Sequence, residues 1–189
     1  MKILEDAILE RGQILNNDII KVDSIINHQV DVMMTVEIAK EIKKEFPHVD
    51  KVLTIVTSGI PFAFALAEQY GVQMVFAKKE KAVTTDFANS YMEEIPSFTH
   101  GNVNQVTVDK RFIKPGEKVL IADDFLASGA ASLGLVNIVK RAGAEVVGVT
   151  ALIEKSFQGG RQKLEDLGIK VVSAANIIAF ENNKPVFAE

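Results

Sequence analysis

The sequence contains no cysteine and no tryptophan. Without cysteine the chain can form neither a disulfide framework nor a cysteine-based zinc site, and it has no thiol nucleophile. This absence fits a reducing compartment, so we expect the cytoplasm. The 189 residues are enough for one domain that buries roughly 70% of its unfolded surface without such cross-links. We therefore expect a single domain over residues 1–189.

Long apolar runs and an excess of positive charge are also missing. No uncharged apolar run reaches the ~18 residues that cross a bilayer. The opening MKILEDAILERG interrupts its apolar residues with acids, unlike a signal peptide. Because 21 Lys+Arg stand against 25 Asp+Glu, the formal charge is −4, which offers no general attraction for a polyanion. We expect neither a membrane nor a nucleic acid as partner, whereas small anions stay candidates.

Several well-known site motifs are absent as well. The chain has no G-x-x-x-x-G-K-[ST], no G-x-G-x-x-G after a strand and no H-E-x-x-H. Its three histidines are scattered and do not pair at metal-ligand spacing. P-loop, dinucleotide-binding and zincin functions are therefore excluded.

What the chain does contain is a repeated strand and helix alternation. KVLTIV predicts a buried strand, PFAFALAEQY a helix and VQMVFA a second strand. The pattern returns as KVLIA, a helix over 132–142, VVGVTALI, a helix near 161–167 and a strand at IKVVS. Strands that are apolar on both faces belong in a parallel sheet covered by helices. The sequence predicts an α/β fold.

Other parts of the chain have weaker patterns. A short helix is expected over residues 3–10, then irregular strands and turns, then a helix capped by Asp31 that ends near Phe46. Residues 77–116 have weak periodicity, and so long a connection in a compact domain is usually functional or disordered. Within it NQVTV predicts an edge strand, so the mobile portion is expected near residues 80–97.

The stretch VLIADDFLASGAAS, residues 119–132, is the most informative part of the chain. Ligands of open parallel sheets lie beyond the carboxyl ends of the strands, where Asp123 and Asp124 are expected. Residues 128–132 would turn into the next helix, so that backbone amides and the helix dipole favour an anion. Backbone amides suit a phosphate, and neighbouring carboxylates suit a diol. Together they predict a sugar phosphate as the ligand. The alternative is that the acid pair only ends a strand and caps a helix.

This stretch resembles the phosphoribosyl-pyrophosphate signature of the type I phosphoribosyltransferases. KVDSIINHQVD and ALIEKSFQGGR extend the resemblance over nearly the whole chain. It implies a parallel sheet flanked by helices with a small hood formed largely by the N-terminal segment. It also implies transfer of a 5-phosphoribosyl group to a purine, Mg²⁺ bound with the phosphoribosyl pyrophosphate, and a homodimer.

The two flanking stretches favour xanthine as the purine. Spacing alone does not separate xanthine from guanine or hypoxanthine, which therefore stay open. A non-catalytic regulator that binds the same donor is less favoured, because the chain has no basic DNA-reading stretch ahead of residue 20.

The resemblance also implies site residues. Asp123 and Asp124 would be catalytic, binding the ribose hydroxyls or Mg²⁺ waters, with no direct protein ligand to the metal except, as an option, Asp123. The donor would be bound by Ala127, Ser128, Gly129, Ala130 and Ala131, by an amide nest at Ser58 and Gly59, and by Lys79 and Lys81. Xanthine would be bound by Ile20, Asn27 and Lys155. For the two loop lysines the alternative is an ordinary solvated charged loop.

Two departures from the family pattern affect these expectations. Ala130 and Ala131 stand where the family often has Gly and Thr, so the phosphate would depend more on backbone amides. VTSGI, at residues 56–60, stands where relatives carry a glutamate or another serine in the pyrophosphate turn.

Overall fold

The computed structural model describes residues 1–16, 19–79, 87–96 and 103–188. The helices are α1 (Lys2–Arg11), α2 (Val32–Glu45), α3 (Ile60–Tyr70), α4 (Ala130–Arg141) and α5 (Gly160–Glu165). The strands are β1 (Gln13–Leu15), β2 (Ile19–Lys21), β3 (Lys51–Ile55), β4 (Gln73–Ala77), β5 (Ser90–Pro96), β6 (Val103–Asp109), β7 (Lys118–Leu126), β8 (Glu145–Lys155), β9 (Val171–Glu181) and β10 (Lys184–Phe187). Asp23–Asn27 form a π-helical turn.

The centre of the fold is a mostly parallel sheet. Within the described ranges its strand order is β10-β9-β8-β7-β3-β4, and only β10 runs antiparallel to its neighbour. β3 is buried along its whole length, as expected for a central strand covered on both faces. The predicted α/β class is confirmed.

The helices cover both faces of this sheet. On one face α1, α2 and α3 contribute to an apolar cluster that includes Ile8, Ile38 and Leu66. On the other face α4 and α5 contribute to a cluster that includes Leu135 and Leu164. Helices on both faces bury the β-branched strand residues and leave the carboxyl ends of the parallel strands open to ligands.

The N-terminal segment packs against the C-terminal strands of the sheet. β1 and β2 form a small antiparallel ribbon, and the π-helical turn leads into α2. The Asp31 carboxylate caps α2 by accepting a hydrogen bond from the Met34 amide at 3.3 Å, as expected. Buried Ile20 and Ile25 belong to the same apolar cluster as Ala174 and Ile177 of β9. This segment therefore lies over the C-terminal strands.

Two expectations about strand limits were wrong. The acid pair does not follow a strand end, because β7 continues to Leu126 and pairs with β8 up to Leu126 opposite Glu154. Residues 90–96, placed in the mobile portion, form β5, which pairs along its whole length with β6. Both errors arise because ladder pairing with a distant strand stabilises an extension that local patterns do not reveal.

The β5–β6 ribbon is attached to the main body at two places. Lys78 and Thr107 exchange backbone hydrogen bonds of 3.0 and 2.9 Å, which fixes the ribbon beyond the end of β4. Ile95 packs against Gly134 of α4, where an added Cβ would lie 2.5 Å from the Ile95 Cδ1. Gly134 therefore provides the notch that seats the ribbon on α4.

Candidate functional site

The acid pair lies near the carboxyl end of β7 and is shielded from solvent. Asp123 and Asp124 are only 7% and 8% exposed. The Asp123 Oδ1 accepts a hydrogen bond from the Asp124 amide at 3.0 Å. Burial raises the pKa of Asp123 well above that of an ordinary aspartate; the charge of Asp124 raises it further, and the ammonium of Lys79 opposes both. Two crowded carboxylates in this position favour a cation or a hydroxyl donor between them.

The turn between β3 and α3 packs directly against this pair. A Cβ added at Gly59 would lie 2.7 Å from the Asp123 Oδ1 and 2.4 Å from the Thr54 Oγ1. Only glycine permits this approach of the backbone to the carboxylate. The predicted nest of Ser58 and Gly59 and the predicted acid pair are therefore neighbours in the structure.

Residues 127–131, which we call the small-residue loop, connect β7 to α4. Gly129 is the N-cap of α4 and has a φ of 80°, a left-handed conformation that glycine adopts without strain. The loop lines a cavity of about 190 Å³ together with Ser132, Lys79, Asn104, Ile55, Phe125, Leu126 and residues 95, 96 and 106. Amides at a helix N-terminus beside a lysine form a suitable environment for an anion.

The sequence-predicted donor residues thus come together in two groups. Ala127, Ser128, Gly129, Ala130, Ala131 and Lys79 line one cavity, and Gly59 adjoins Asp123. Lys81 lies outside the described residues.

The sequence-predicted base residues lie elsewhere. Lys155 is the last residue of β8, and its Nζ lies 5.7 Å from the centre of the Phe180 ring. The side chain of Ile20 is buried in the apolar cluster that contains Ile177, the β9 residue opposite Lys155. Asn27 is exposed at the end of the π-helical turn. Ile20 as a whole is largely buried and pairs with Ile14 in the β1–β2 ribbon.

Some residues near the site carried no recognisable signal in the sequence. Gly160 donates its amide to the Ala127 carbonyl at 3.0 Å, and Lys163 donates to the Ser128 carbonyl at 2.9 Å. Asn104 reaches the cavity from β6. These contacts join segments more than twenty residues apart, so no local motif could have indicated them.

The donor set at the acid pair suits a hard cation such as Mg²⁺. Carboxylate oxygens are the ligands that Mg²⁺ prefers, and Mg²⁺ usually combines one or two of them with water and substrate phosphates. Within residues 1–16, 19–79, 87–96 and 103–188, no group of three or more acidic or histidine side chains could hold a metal alone. The pair therefore fits a cation that arrives with an anionic ligand.

No helix in the described part of the chain has the length and apolar character needed to span a membrane.

Known proteins are similar to this chain over most or all of its length. The family model for the phosphoribosyl transferase domain matches residues 21–185. A xanthine phosphoribosyltransferase of Shouchella clausii is 45% identical over 100% of this chain and 95% of its own length. Xanthine phosphoribosyltransferase 2 of Clostridium botulinum is 45% identical over 99% of this chain and 100% of its own length.

Solved structures with similar folds are more distant in sequence. Adenine phosphoribosyltransferase from Trypanosoma brucei superposes with a TM-score of 0.78 at 15% identity, covering 96% of this chain and 82% of its own. The enzyme of that name from Rhodothermus marinus gives 0.75 at 21% identity, covering 94% and 100%. At these identities the likeness concerns the fold alone.

Proposed function

The chain belongs to the phosphoribosyltransferase family, and from that membership we propose that it is a xanthine phosphoribosyltransferase of purine salvage. It transfers the 5-phosphoribosyl group of phosphoribosyl pyrophosphate to xanthine and releases xanthosine 5-monophosphate and pyrophosphate. The observation that carries the proposal is the buried acid pair of β7, which adjoins Gly59 through Asp123 and is followed in the chain by the small-residue loop that lines a cavity with Lys79. Full-length relatives that are 45% identical and bear that name support the choice of purine.

We call the region at the carboxyl ends of the parallel strands the carboxyl edge. In this proposal, different residues of the carboxyl edge bind different parts of the donor. The amides of the small-residue loop and the start of α4 bind the 5-phosphate, with Ser128 adding a hydroxyl. Ser58 and Gly59 bind the pyrophosphate, assisted by Lys79 and Lys81. Asp123 and Asp124 accept hydrogen bonds from the ribose hydroxyls, and Mg²⁺, when bound, neutralises charge on the pyrophosphate. The metal would be held through the substrate and water, with Asp123 as the candidate for direct contact.

The reaction needs no covalent nucleophile. As the bond from the anomeric carbon to pyrophosphate breaks, positive charge develops on the ribose, and the nearby carboxylates of Asp123 and Asp124 stabilise it. The purine nitrogen then forms the new bond at that carbon. The buried position of the pair strengthens this interaction, because fewer waters screen it.

The base is assigned to Lys155, Ile20 and Asn27. The Lys155 ammonium donates to an exocyclic oxygen of the purine, which disfavours adenine. Asn27 offers both a donor and an acceptor to the base edge. Ile20 is assigned to the base on the family resemblance alone, because its side chain is buried in the core.

The remaining features of the proposal concern the whole molecule. The chain acts as a single domain over residues 1–189, in the cytoplasm, as a homodimer. The dimer is supported by an exposed apolar surface near β4 that includes Phe64, Phe76 and Phe112 and lines a cavity of about 870 Å³. Sedimentation that gives the mass of one chain at micromolar concentration would remove the dimer from the proposal.

The direct test is a comparison of purines. The protein is incubated with Mg²⁺, phosphoribosyl pyrophosphate and either xanthine, guanine, hypoxanthine or adenine, and nucleotide formation is followed. We expect kcat/KM to be highest for xanthine. A higher value for guanine or hypoxanthine would overturn the choice of purine, and no nucleotide from any of them would overturn the enzyme function.

A variant of Lys155 separates base binding from donor binding. In Lys155→Ala we expect KM for xanthine to rise about 10-fold, as the loss of a charge-assisted hydrogen bond predicts, with KM for the donor unchanged. Lys140→Ala, an exposed lysine of α4, is the matched control. An equal rise of both KM values would contradict the assignment of Lys155 to the base.

A further inference from the structure

A buried ion pair lies next to Gly160, the residue that contacts the small-residue loop. Glu154, the residue before Lys155 in β8, is fully buried. Its two carboxylate oxygens accept hydrogen bonds from Arg161 Nε and Nη2 at 2.8 and 2.5 Å, a bidentate geometry. Ser173 of β9 donates a further bond to the same carboxylate at 2.6 Å. A fully buried carboxylate is costly unless it is paired in this way.

Arg161 also bonds to other elements around it. Its Nη1 donates to the Val171 carbonyl at 3.0 Å and contacts Glu165 at 3.2 Å. The hydrogen bonds to Glu154 raise the pKa of Arg161 above its ordinary value, so its charge is permanent. One guanidinium therefore joins the start of α5 to the end of β8 and the start of β9.

The residue before Arg161 is the one that packs against the small-residue loop. The Gly160 amide donates to the Ala127 carbonyl at 3.0 Å. A Cβ on Gly160 would lie 2.3 Å from that carbonyl oxygen and 2.7 Å from the Gly129 nitrogen, so the two backbones are in direct contact. Any movement of Gly160 must move Ala127 or Gly129 as well.

We propose that Arg161 is a positioning residue for the 5-phosphate. By fixing Gly160 to β8 through Glu154, it holds the rear of the small-residue loop in the conformation that directs its amides into the cavity. Arg161 itself does not touch the ligand. The inference rests on the proposed function, because it assigns the small-residue loop to the 5-phosphate.

The test measures binding of two halves of the donor separately. Ribose 5-phosphate reports on the small-residue loop, whereas pyrophosphate with Mg²⁺ reports on the Gly59 turn, and calorimetry gives both affinities without turnover. In Arg161→Met we expect ribose 5-phosphate to bind about 10- to 100-fold more weakly, because a small misplacement of binding groups has effects of this size. Pyrophosphate affinity is expected to change less than 2-fold.

Two further variants make the result specific to positioning. Arg161→Lys keeps a charge opposite Glu154 but loses the bidentate geometry, so we expect an intermediate loss of ribose 5-phosphate affinity. The double variant Glu154→Leu with Arg161→Met removes the unpaired carboxylate that destabilises Arg161→Met. It is expected to regain thermal stability while ribose 5-phosphate binding stays weak.

Lys170→Met is the matched control. Lys170 lies just before the start of β9 and pairs with Glu45, so this substitution also breaks an ion pair, but one at the other end of the sheet from Lys155. It should leave both affinities unchanged. Wild-type affinity for ribose 5-phosphate in Arg161→Met, or its recovery in the double variant, would overturn the positioning role. If the unmodified protein itself bound no ribose 5-phosphate, the proposed function would fail first, which is a different result.

Discussion

The two ends of the central sheet differ in the charged residues that they bury. At the end where the parallel strands begin, the charged groups form ion pairs: Lys170 and Glu45 are about half exposed at 49% and 50%, and the largely buried Lys51 pairs with Glu117. At the end where the strands stop, the adjacent carboxylates of Asp123 and Asp124 are both buried and carry like charge. Burying two like charges together has a cost in stability that a bound ligand can offset. The difference identifies the carboxyl edge as the functional one.

Individual glycines at the two ends also differ in how closely other atoms approach them. Gly71, which ends α3 before β4 begins, has a φ of 68°, and an added Cβ there would meet nothing within 4 Å. At the carboxyl edge an added Cβ on Gly59, Gly129 or Gly160 would meet a carboxylate or backbone at 3.0 Å or less. The first kind of glycine serves only a chain reversal. The second kind lets backbones approach each other around a ligand site.

The largest expected difference in kcat between the two ends arises when an acidic residue is replaced by its amide. Asp124→Asn at the carboxyl edge is expected to lower kcat about 100- to 1,000-fold, since it removes charge that stabilises the transition state. Its melting temperature should not fall. Steady-state kinetics and circular dichroism measure both quantities, and unchanged turnover would remove Asp124 from the mechanism.

Glu117→Gln is the matched substitution at the end of the sheet where the parallel strands begin. Glu117 pairs at 3.0 Å with the largely buried Lys51. Loss of this charge should destabilise the fold by about 1–3 kcal/mol and leave kcat unchanged. A large fall in kcat here would break the comparison.

Alanine in place of glycine gives the next largest difference. Gly129→Ala places a Cβ 3.0 Å from the Gly160 Cα in a left-handed conformation, so the loop must shift. We expect KM for the donor to rise about 10-fold or more. Gly71→Ala should cost about 1 kcal/mol of stability from backbone conformation alone and leave KM unchanged. Equal kinetics in the two variants would contradict the division of roles.

The acid pair also predicts how stability depends on pH. The folded-state pKa of Asp123 is raised, so the folded state holds this proton more tightly than the unfolded state. Its contribution to stability is therefore fully present below the unfolded pKa and is lost as the pH rises through the folded value. At neutral pH, Asp123→Asn should melt about 2–4 °C higher, equivalent to about 1 kcal/mol, and the gain should vanish in acid.

Asp31 is a control, because its contribution to stability depends on pH in the opposite direction. Hydrogen bonds from Arg11 and the Met34 amide lower the pKa of Asp31. Its contribution is present above the unfolded pKa and is lost as the pH falls through the folded value. Asp31→Asn should therefore melt lower at neutral pH, with the loss disappearing in acid. The same direction of change in both variants would contradict the burial argument.

The smallest expected effects come from two buried hydroxyls. Within the described residues, the Thr54 Oγ1 and Thr150 Oγ1 have no hydrogen-bond partner. Valine has the same shape, so each Thr→Val variant should gain up to about 1 kcal/mol of stability. Turnover should stay unchanged in Thr150→Val and fall about 5-fold in Thr54→Val, because the Thr54 hydroxyl packs against Gly59 of the turn that adjoins Asp123. Equal turnover in both would place Thr54 outside the site.

The sequence predicted the fold class and the turn before α4, because both depend on short-range patterns. Alternating apolar strands and helices predict the sheet, and the small residues after Asp124 predict a tight turn before α4. Contacts between distant segments could not be predicted. The pairing of β7 with β8 beyond the acid pair and the packing of Gly160 on Ala127 both depend on tertiary structure.

The base residues illustrate the remaining limit. Ile20 was predicted to bind the base from resemblance, but nothing in its neighbours indicates that its side chain is buried with β9 residues. The assignment of base residues therefore stays a prediction, whereas the close approach of Asp123 and Gly59 is seen in the structure.

The alternation of β8 has a consequence for how the chain can evolve. Glu154 points to Arg161 and the following Lys155 lies against Phe180, so neighbouring residues of one strand serve two different places. Inserting one residue in β8 would move Glu154 to the place of Lys155 and Ile153 to the place of Glu154, whereas a deletion would bring the Lys155 ammonium opposite Arg161. Length changes in descendants of this gene should therefore accumulate in surface turns and be purged from this strand.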